Sequence, residues 1–312
     1  MLGRGGLLGS AVVGRLEGHE GVWVPTRPIG WAESESYKSS VEEAVIEFAR
    51  TVNTSSEQWT IYWCAGVGTF GLRDNDLNSE IEQVDFLVQR LGAHLGANTS
   101  RGTFFYSSSA GGIYGGSLDG LISENSQISV NNEYGVTKHR IEQLLSSWSR
   151  SSGCRVAIGR ISNLYGPGQD MSKKQGIISV ACRSLVQQKT LEIFVPLDTT
   201  RNYIHARDAS FTIVNFTRLV SRLPSEACEY KIICSPFNLS IAGLLLEIRR
   251  VHGKRVPVSL AQRSTSGLYV RNLSMVSLRF KECEPAQFTL PAVGVAEVRR
   301  KLLLDAMAGS LS

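Results

Sequence analysis

The sequence lacks the residue spacings that mark metal and disulfide sites. Its six cysteines form no CxxC pair, and its five histidines form no HxxxH or HExxH pair. We therefore expect no metal site. Several cysteines lie in apolar, strand-like runs, which favours buried free thiols in a reducing compartment over disulfides. These absences predict a cytoplasmic protein.

Long apolar runs and blocks of like charge are also missing. No apolar stretch approaches the roughly 20 residues of a membrane span, and glycines interrupt the weakly signal-like residues 1–13. The net charge of +5 is mild and spread along the 312 residues. We expect neither a membrane nor a nucleic acid as partner, although a basic cleft for an anionic small molecule would fit. The 42% hydrophobic and 20% charged residues are typical of globular proteins.

A glycine-rich turn opens the chain and leads into an amphipathic helix. The GxxGxxG spacing of Gly3, Gly6 and Gly9 permits a tight turn and lets the backbone approach a pyrophosphate at the helix N-terminus. The alternative is a plain surface turn. Only Met1 and Leu2 precede it, so we expect the first strand to be largely missing, or the true start to lie upstream. The cofactor contacts predicted from this turn are Gly3, Arg4, Gly6, Leu7, Leu8 and Gly9.

Val22-Trp23-Val24 is predicted to be the second strand, and Arg27 follows it. NAD usually meets an Asp or Glu near this point, whereas an Arg suits the 2′-phosphate of NADP. We therefore favour NADP as cofactor, with NAD as the alternative, and Arg4 could assist. Both arginines could instead be solvated surface residues.

Three apolar runs, residues 59–64, 103–106 and 155–160, alternate with helical patterns and predict a parallel α/β sheet. Ligands bind beyond the carboxyl ends of such strands. Ala65 and Gly66 follow the first run, and their small size allows a ligand close approach. Serines follow the second run, where a hydroxyl could polarise a carbonyl or alkoxide, although serines are also common in ordinary turns.

Residues 133–142 are predicted to open a helix that places Tyr134 and Lys138, four residues apart, on one face. An ammonium beside a phenol favours the ionised phenol. At about 4 Å and an effective dielectric near 20, the attraction is roughly 4 kcal/mol. Such a pair is suited to general acid/base catalysis. The alternative is a partly exposed Tyr and a solvated Lys at helical spacing by chance.

The composition changes after Gln169. We predict a doubly wound, Rossmann-type NAD(P)-binding domain over residues 1–169. Residues 170–312 are predicted to form mainly a smaller substrate-binding lobe, with some segments returning to the first domain.

The motifs occur in a fixed order along nearly the whole chain: GRGGLLGSA, CAG, SSSAGGIYG, YGVTK, RISNLYGPGQ, TRNYIHARDA and FTLPAVGVAEVRRKL. This set resembles the extended short-chain dehydrogenases/reductases, the NAD(P)-dependent nucleotide-sugar epimerases, dehydratases and ketoreductases. The resemblance implies that Tyr134 is the general acid/base and that Lys138 holds the nicotinamide ribose. It also implies that a serine, Ser109 or in reserve Ser108, binds the reacting oxygen.

The resemblance further implies substrate contacts. Asn163 and Arg201 match positions that contact the substrate diphosphate, a role for which the forked donors of Arg are suited. Arg201 could instead form a salt bridge between the lobes. A homodimer through the helices at about 77–96 and 133–150 is also expected, and the apolar stripes of these helices support it.

The expected function is epimerisation or 4-ketoreduction of a nucleotide-activated sugar. Dehydration is disfavoured, because Ala110-Gly111-Gly112 offers no carboxylate where the sugar dehydratases carry an Asp-Glu pair. The alternative is a non-catalytic NADP-binding sensor or scaffold on the same fold. A decayed enzyme is a third possibility.

Overall fold

The computed structural model describes residues 1–17, 21–31, 33–66, 74–118, 120–171, 176–261 and 270–309, with side chains from residue 78 onward in the fourth range. Within these ranges the α-helices are α1 (Leu7–Leu16), α2 (Ser34–Asn53), α3 (Asp74–Leu95), α4 (Ala110–Ile113), α5 (Glu133–Ser152), α6 (Ile177–Val186), α7 (Ala206–Val220), α8 (Ile241–His252) and α9 (Pro291–Met307). The strands are β1 (Trp59–Trp63), β2 (Gly102–Ser109), β3 (Arg155–Ile161), β4 (Asn163–Tyr165), β5 (Leu191–Ile193), β6 (Thr200–His205), β7 (Cys228–Ile233), β8 (Asn238–Ser240), β9 (Val258–Leu260) and β10 (Asn272–Leu273).

The central sheet contains four parallel strands in the order β1–β2–β3–β7. Trp63 of β1 lies beside Tyr106 of β2, which lies beside Ile158 of β3. All three side chains are fully buried, as expected for a parallel sheet that helices cover on both faces. The predicted α/β fold with a Rossmann-type parallel sheet is confirmed.

Leu2, which lies just before the glycine turn, pairs with the edge of β1. Leu2 forms an isolated parallel bridge with Trp63. Its N–H donates to the Tyr62 carbonyl at 2.9 Å, and its carbonyl accepts from the Cys64 N–H at 2.9 Å. The glycine turn therefore leaves the sheet directly beside the carboxyl end of β1.

The predicted strand at Val22-Trp23-Val24 is wrong. These residues form no strand, and Val22 and Val24 are each 48% exposed. Trp23 packs its ring against Phe48 of α2, with centroids 5.3 Å apart. A strand here would need the first strand as its partner, and Leu2 alone offers too short an edge.

Helices cover both faces of the sheet. One core cluster joins α2, α3 and α5 to the sheet, and another joins α1 and α7 to its other face. The apolar stripes of α3 and α5 lie in the first cluster, through Val84, Leu87, Leu91, Ile141 and Leu145. No large exposed apolar side chain is found on the described parts of α3 or α5. These stripes are therefore accounted for by the core, and the homodimer remains a prediction.

The later part of the chain builds smaller sheets. Strands β4, β6, β8 and β10 form one, and β5 pairs with β9. A separate core cluster packs β4, β5, β6, β8 and β9 with α6, α8 and α9, and Leu273 of β10 belongs to another cluster. Strand β7 returns to the central sheet beside β3. Ser240 caps α8 by accepting a hydrogen bond from the Gly243 N–H at 3.0 Å. The division at residue 169 remains a prediction.

Candidate functional site

The glycine turn lies against the end of β1 at closer range than a side chain would permit. Gly3 has a φ of +82°, and a Cβ there would overlap the backbone of Ala65. A Cβ on Gly9 would overlap the Gly3 carbonyl. The Gly6 N–H donates to the Gly3 carbonyl at 3.2 Å and closes the turn. Glycine is therefore required at positions 3 and 9.

The N-terminus of α1 is open toward this turn. The helix begins at Leu7, and its N-cap Gly6 is extended and provides no side-chain cap. The first N–H groups of a helix have no acceptor within the helix, and they favour an anion. A Cβ built on Gly5 meets no atom within 4 Å, so there is room above the turn. The predicted contacts Leu7 and Leu8 lie in this first turn, and Arg4 is exposed beside it.

Arg27 lies on the surface and pairs with a carboxylate of α2. Its Nη1 is 3.1 Å from Glu43 Oε2, and the two side chains are 76% and 47% exposed. Surface pairs of this kind contribute little to stability. Preference for NADP over NAD therefore remains a prediction.

Lys138 is held in a buried cluster with Glu80 and Tyr106. Its Nζ donates to Glu80 Oε1 at 2.6 Å, to the Tyr106 hydroxyl at 3.2 Å and to the Ser107 carbonyl at 3.4 Å. The Tyr106 hydroxyl donates to Glu80 Oε1 at 3.2 Å. The Lys138 and Glu80 side chains are only 4% and 2% exposed. The ammonium lies 5.6 Å from the ring centroid of Tyr134, so the predicted Tyr–Lys proximity is observed.

The protonation states in this cluster depend on two opposing effects. Burial disfavours the charged form of each group, whereas a neighbouring opposite charge favours it. Burial alone lowers the pKa of Lys138, but the Glu80 carboxylate and the Tyr134 phenol raise it above its ordinary value. Burial and the neighbouring Glu80 carboxylate raise the pKa of Tyr106 well above its ordinary value. Lys138 therefore stays an ammonium and Tyr106 a neutral phenol at physiological pH.

Glu80 was not among the residues selected from the sequence. The residue lies on α3, and 58 positions separate it from Lys138. A signal was nevertheless present, because Glu80 precedes the buried Val84 and Leu87 by four and seven positions. This spacing places a carboxylate on the buried face of the helix, where a charge needs a partner.

Ser109 and Tyr134 both lie next to Gly112. The Ser109 hydroxyl caps α4 by accepting a hydrogen bond from the Gly112 N–H at 3.1 Å. A Cβ on Gly112 would lie 3.2 Å from Cε1 of Tyr134. The start of α5 is fixed by Asn132, whose Oδ1 accepts from the Gly135 N–H at 2.9 Å. These local caps bring the predicted serine and tyrosine to one place, where both side chains are only partly buried.

Ser108 belongs to a different, fully buried network. Its hydroxyl donates to Glu142 Oε1 at 2.7 Å. Glu142 accepts two further bonds from Arg160, at 3.0 and 2.7 Å, and Arg160 donates to the Tyr114 hydroxyl at 2.6 Å. Ser108 is 4% exposed. Ser108 therefore supports the packing of β2, β3 and α5 beneath the site.

Asn163 and Arg201 lie on adjacent strands, and Asn163 is opposite a residue two positions from Arg201. Strands β4 and β6 are parallel partners, with Asn163 beside Tyr203. The Asn163 amide donates to the Asn202 carbonyl at 2.8 Å, and Arg201 Nη1 donates to the Thr200 carbonyl at 2.7 Å. Asn163 is exposed and Arg201 is partly buried, which leaves both side chains accessible to a ligand.

His205, at the N-terminus of α7, is a second buried group that the sequence did not single out. Its Nδ1 accepts from the Arg207 N–H at 3.3 Å, and its Nε2 lies 3.3 Å from Glu297 Oε2. Burial lowers the pKa of His205, although Glu297 acts in the opposite direction. A Cβ on Gly166 would lie 3.5 Å from His205 Nε2 and 3.6 Å from Leu7 Cδ1. The imidazole thus lies near the glycine turn.

The part of the chain that the structure describes contains neither a metal-binding cluster nor a helix that could span a membrane. No group of three or more His, Cys, Asp or Glu side chains in these ranges could hold a metal ion. None of the helices there combines the length and the apolarity that crossing a membrane requires.

Known proteins are similar to this chain in sequence and in fold. A family model described as "Epimerase: NAD dependent epimerase/dehydratase family" matches residues 1–221. A putative UDP-glucose 4-epimerase of Methanocaldococcus jannaschii is 30% identical over 105 residues, covering 34% of each chain. A dTDP-4-dehydro-6-deoxyglucose reductase of Escherichia coli is 30% identical over 167 residues, covering 46% of this chain and 52% of the reductase.

Among solved structures, the UDP-glucose 4-epimerase of Thermotoga maritima with UDP-glucose matches with a TM-score of 0.75. The identity is 18%, and 98% of each chain is covered. At that identity the likeness shows the fold alone. The chain spans between 23% and 52% of the length of these curated relatives and of a third, a rhamnose epimerase.

Proposed function

Because this chain belongs to the NAD-dependent epimerase/dehydratase family, we propose that it acts on a nucleotide-activated sugar with a nicotinamide cofactor. Tyr134 is the general acid/base, and the reaction is 4-epimerisation or reduction of a 4-keto sugar. The observation that carries the proposal is that Lys138 lies 5.6 Å from the Tyr134 ring and that Tyr134 and Ser109 both border Gly112, beyond the carboxyl end of β2. Ligands bind at this edge in open α/β sheets.

The glycine turn fits the diphosphate of such a cofactor. Gly3 and Gly9 bring the turn against Ala65, and the uncapped start of α1 offers N–H groups to an anion. Gly66 continues this edge beside Lys138. When bound, the nicotinamide exchanges a hydride with the sugar carbon. NADP is the proposed cofactor because of Arg27, and NAD is the alternative.

Tyr134 moves the proton and Ser109 orients the reacting oxygen. Both side chains border Gly112, which supports placing the reacting sugar oxygen between the phenol and the Ser109 hydroxyl. A positioned acid/base group typically contributes 10²- to 10⁴-fold in rate. A hydroxyl that donates to the developing alkoxide adds to this by electrostatic stabilisation.

Asn163 and Arg201 are proposed to hold the diphosphate of the substrate. They lie on the paired strands β4 and β6, and Arg201 supplies a positive charge with several donors. Dehydration is disfavoured, since Ala110, Gly111 and Gly112 place no carboxylate beside Ser109.

A single-turnover experiment tests the proposal. The protein is mixed with stoichiometric NADPH or NADH and a UDP- or dTDP-linked 4-keto sugar. Stoichiometric loss of reduced cofactor with formation of the alcohol indicates a reductase. In a parallel reaction with the oxidised cofactor, NAD⁺ or NADP⁺, and a UDP-hexose, inversion at C4 without net reduction of the cofactor indicates an epimerase.

Tyr134→Phe is the matched control, and its rate should fall by about 10²- to 10⁴-fold. If the protein binds the cofactor but turns over neither class of sugar nucleotide, the catalytic proposal is wrong. A non-catalytic cofactor-binding protein is then the better description.

A further inference from the structure

Glu80, Lys138 and Tyr106 form a closed hydrogen-bonded triad. An ammonium has three N–H donors, and those of Lys138 are directed to Glu80, the Tyr106 hydroxyl and the Ser107 carbonyl. The Tyr106 hydroxyl donates in turn to Glu80. Each polar group of the triad thus has a partner within it, which fixes the rotamer of Lys138.

The triad lies directly under the proposed cofactor edge. A Cβ on Gly66, just beyond β1, would be 3.4 Å from both Glu80 Oε1 and Lys138 Nζ. Three elements meet there, since α3 provides Glu80, β2 provides Tyr106 and α5 provides Lys138. The carboxylate is therefore built into the acid/base site.

Glu80 also changes the charge that Tyr134 experiences. An ammonium 5.6 Å from the phenol ring would by itself stabilise the phenolate. A carboxylate 2.6 Å from that ammonium turns the positive charge into a dipole with no net charge. Glu142 on α5 also faces the group, but its charge is matched by Arg160 from β3.

We propose that Glu80 is a positioning residue for the Tyr134–Lys138 pair. It holds the ammonium in the triad and cancels most of its charge where the phenol works. This inference rests on the proposed function, because it assigns Glu80 a role through the acid/base chemistry of Tyr134. The consequence is a site that operates at a higher pH than a lone lysine would set.

The test is the pH dependence of kcat/KM for the Glu80→Gln protein. Glutamine keeps the size of the side chain and an oxygen acceptor for Lys138 but removes the charge. Glu80 Oε1 lies 2.6 Å from the Lys138 ammonium, which lies 5.6 Å from the centroid of the Tyr134 ring. Removing a charge about 8 Å from the phenol, at an effective dielectric near 20, shifts the midpoint of the phenol's ionisation by about 1.5 pH units. We expect the midpoint of the profile to fall by about one to two pH units.

Two further variants make the result specific. Glu82→Gln removes the same charge from an exposed position on the same helix, and its midpoint should stay at the wild-type value. The double variant Glu80→Gln/Lys138→Met removes both charges, so its midpoint should return toward wild type although its rate is lower. If Glu80→Gln cannot be purified, Glu80→Asn removes the charge while keeping an amide, and the same downward shift is expected.

The proposal is overturned if the Glu80→Gln midpoint equals that of wild type, or if Glu82→Gln shifts as much. Phenolate absorbance of the cofactor-free protein, corrected by subtracting the Tyr134→Phe signal, reports the same ionisation without any turnover. A downward shift there supports the role of Glu80 even if no sugar nucleotide is a substrate. An unchanged titration rejects it independently of the proposed function.

Discussion

Ser108 and Ser109 are adjacent in sequence, yet the structure predicts opposite results when each is replaced by alanine. Ser108→Ala should lower stability and leave catalysis nearly unchanged. Ser109→Ala should lower catalysis and cost less stability. The two variants are well matched, because each substitution removes one hydroxyl from the end of β2.

The stability cost of Ser108→Ala follows from its single buried bond. Its hydroxyl donates at 2.7 Å to Glu142, which also pairs with Arg160, and Ser108 is 4% exposed. Hydrogen bonds to charged groups contribute about 1.5–3 kcal/mol, and alanine would leave Glu142 Oε1 with only its bond from Arg160. We expect the free energy of unfolding to fall by about 1.5–3 kcal/mol, with kcat changed less than about threefold.

Ser109→Ala removes a different interaction. The Ser109 hydroxyl caps α4, a helix of four residues, through the Gly112 N–H. Loss of such a cap costs about 1 kcal/mol. If this hydroxyl binds the reacting oxygen, kcat should fall by about 10²- to 10³-fold, the typical loss for one oxyanion donor.

Urea unfolding measures the first effect, and single-turnover kinetics with the same substrate measures the second. Both should be collected on the two alanine variants at a pH where the wild type is most active. Equal losses of kcat in the two variants would refute the assignment of Ser109. A Ser108→Ala protein as stable as wild type would refute the role given to the Glu142 network.

Three further predictions concern the cofactor, the substrate and the dependence of stability on pH. Gly3→Ala should weaken NADPH binding at least tenfold in a fluorescence titration, because a Cβ at φ +82° would overlap the Ala65 backbone; unchanged affinity would exclude the glycine turn from the cofactor site. Arg201→Ala should raise KM for the sugar nucleotide about tenfold or more, while kcat changes little; an unchanged KM would remove it from the substrate site. Burial lowers the pKa of His205 in the folded state, so its contribution to stability is present above about pH 6.5 and is lost as the pH falls. The unfolding free energy of His205→Gln should therefore fall less steeply than that of wild type below about pH 6.5; parallel curves would contradict this.

Sequence patterns predicted the features that depend on local chemistry. The runs that became β1, β2 and β3 were recognisable because a covered parallel strand is apolar on both faces. The roles of Gly3 and Gly9 followed from spacing, since only glycine allows the close approach that the turn requires. The helix that carries Tyr134 and Lys138 was predicted from its apolar period.

Features that depend on residues far apart in the sequence could not be predicted from local patterns. The strand predicted around Trp23 failed because pairing depends on a neighbouring edge, and Leu2 supplies only one bridge. Glu80 was missed because a single carboxylate on a helix does not reveal its partner on another element. The two serines could have been separated by alternation, since neighbouring residues of a strand point to opposite faces.

Leu2 also has a consequence for local motion. The glycine turn is joined to the sheet by the two hydrogen bonds that Leu2 makes with Tyr62 and Cys64. A unit held to a sheet by so few backbone bonds opens at a lower free energy than the whole domain unfolds. The amide of Cys64 should therefore exchange with solvent deuterium well before the amides inside β2. A ligand that bridges the turn and the sheet would slow that exchange, so this one amide reports occupancy of the turn.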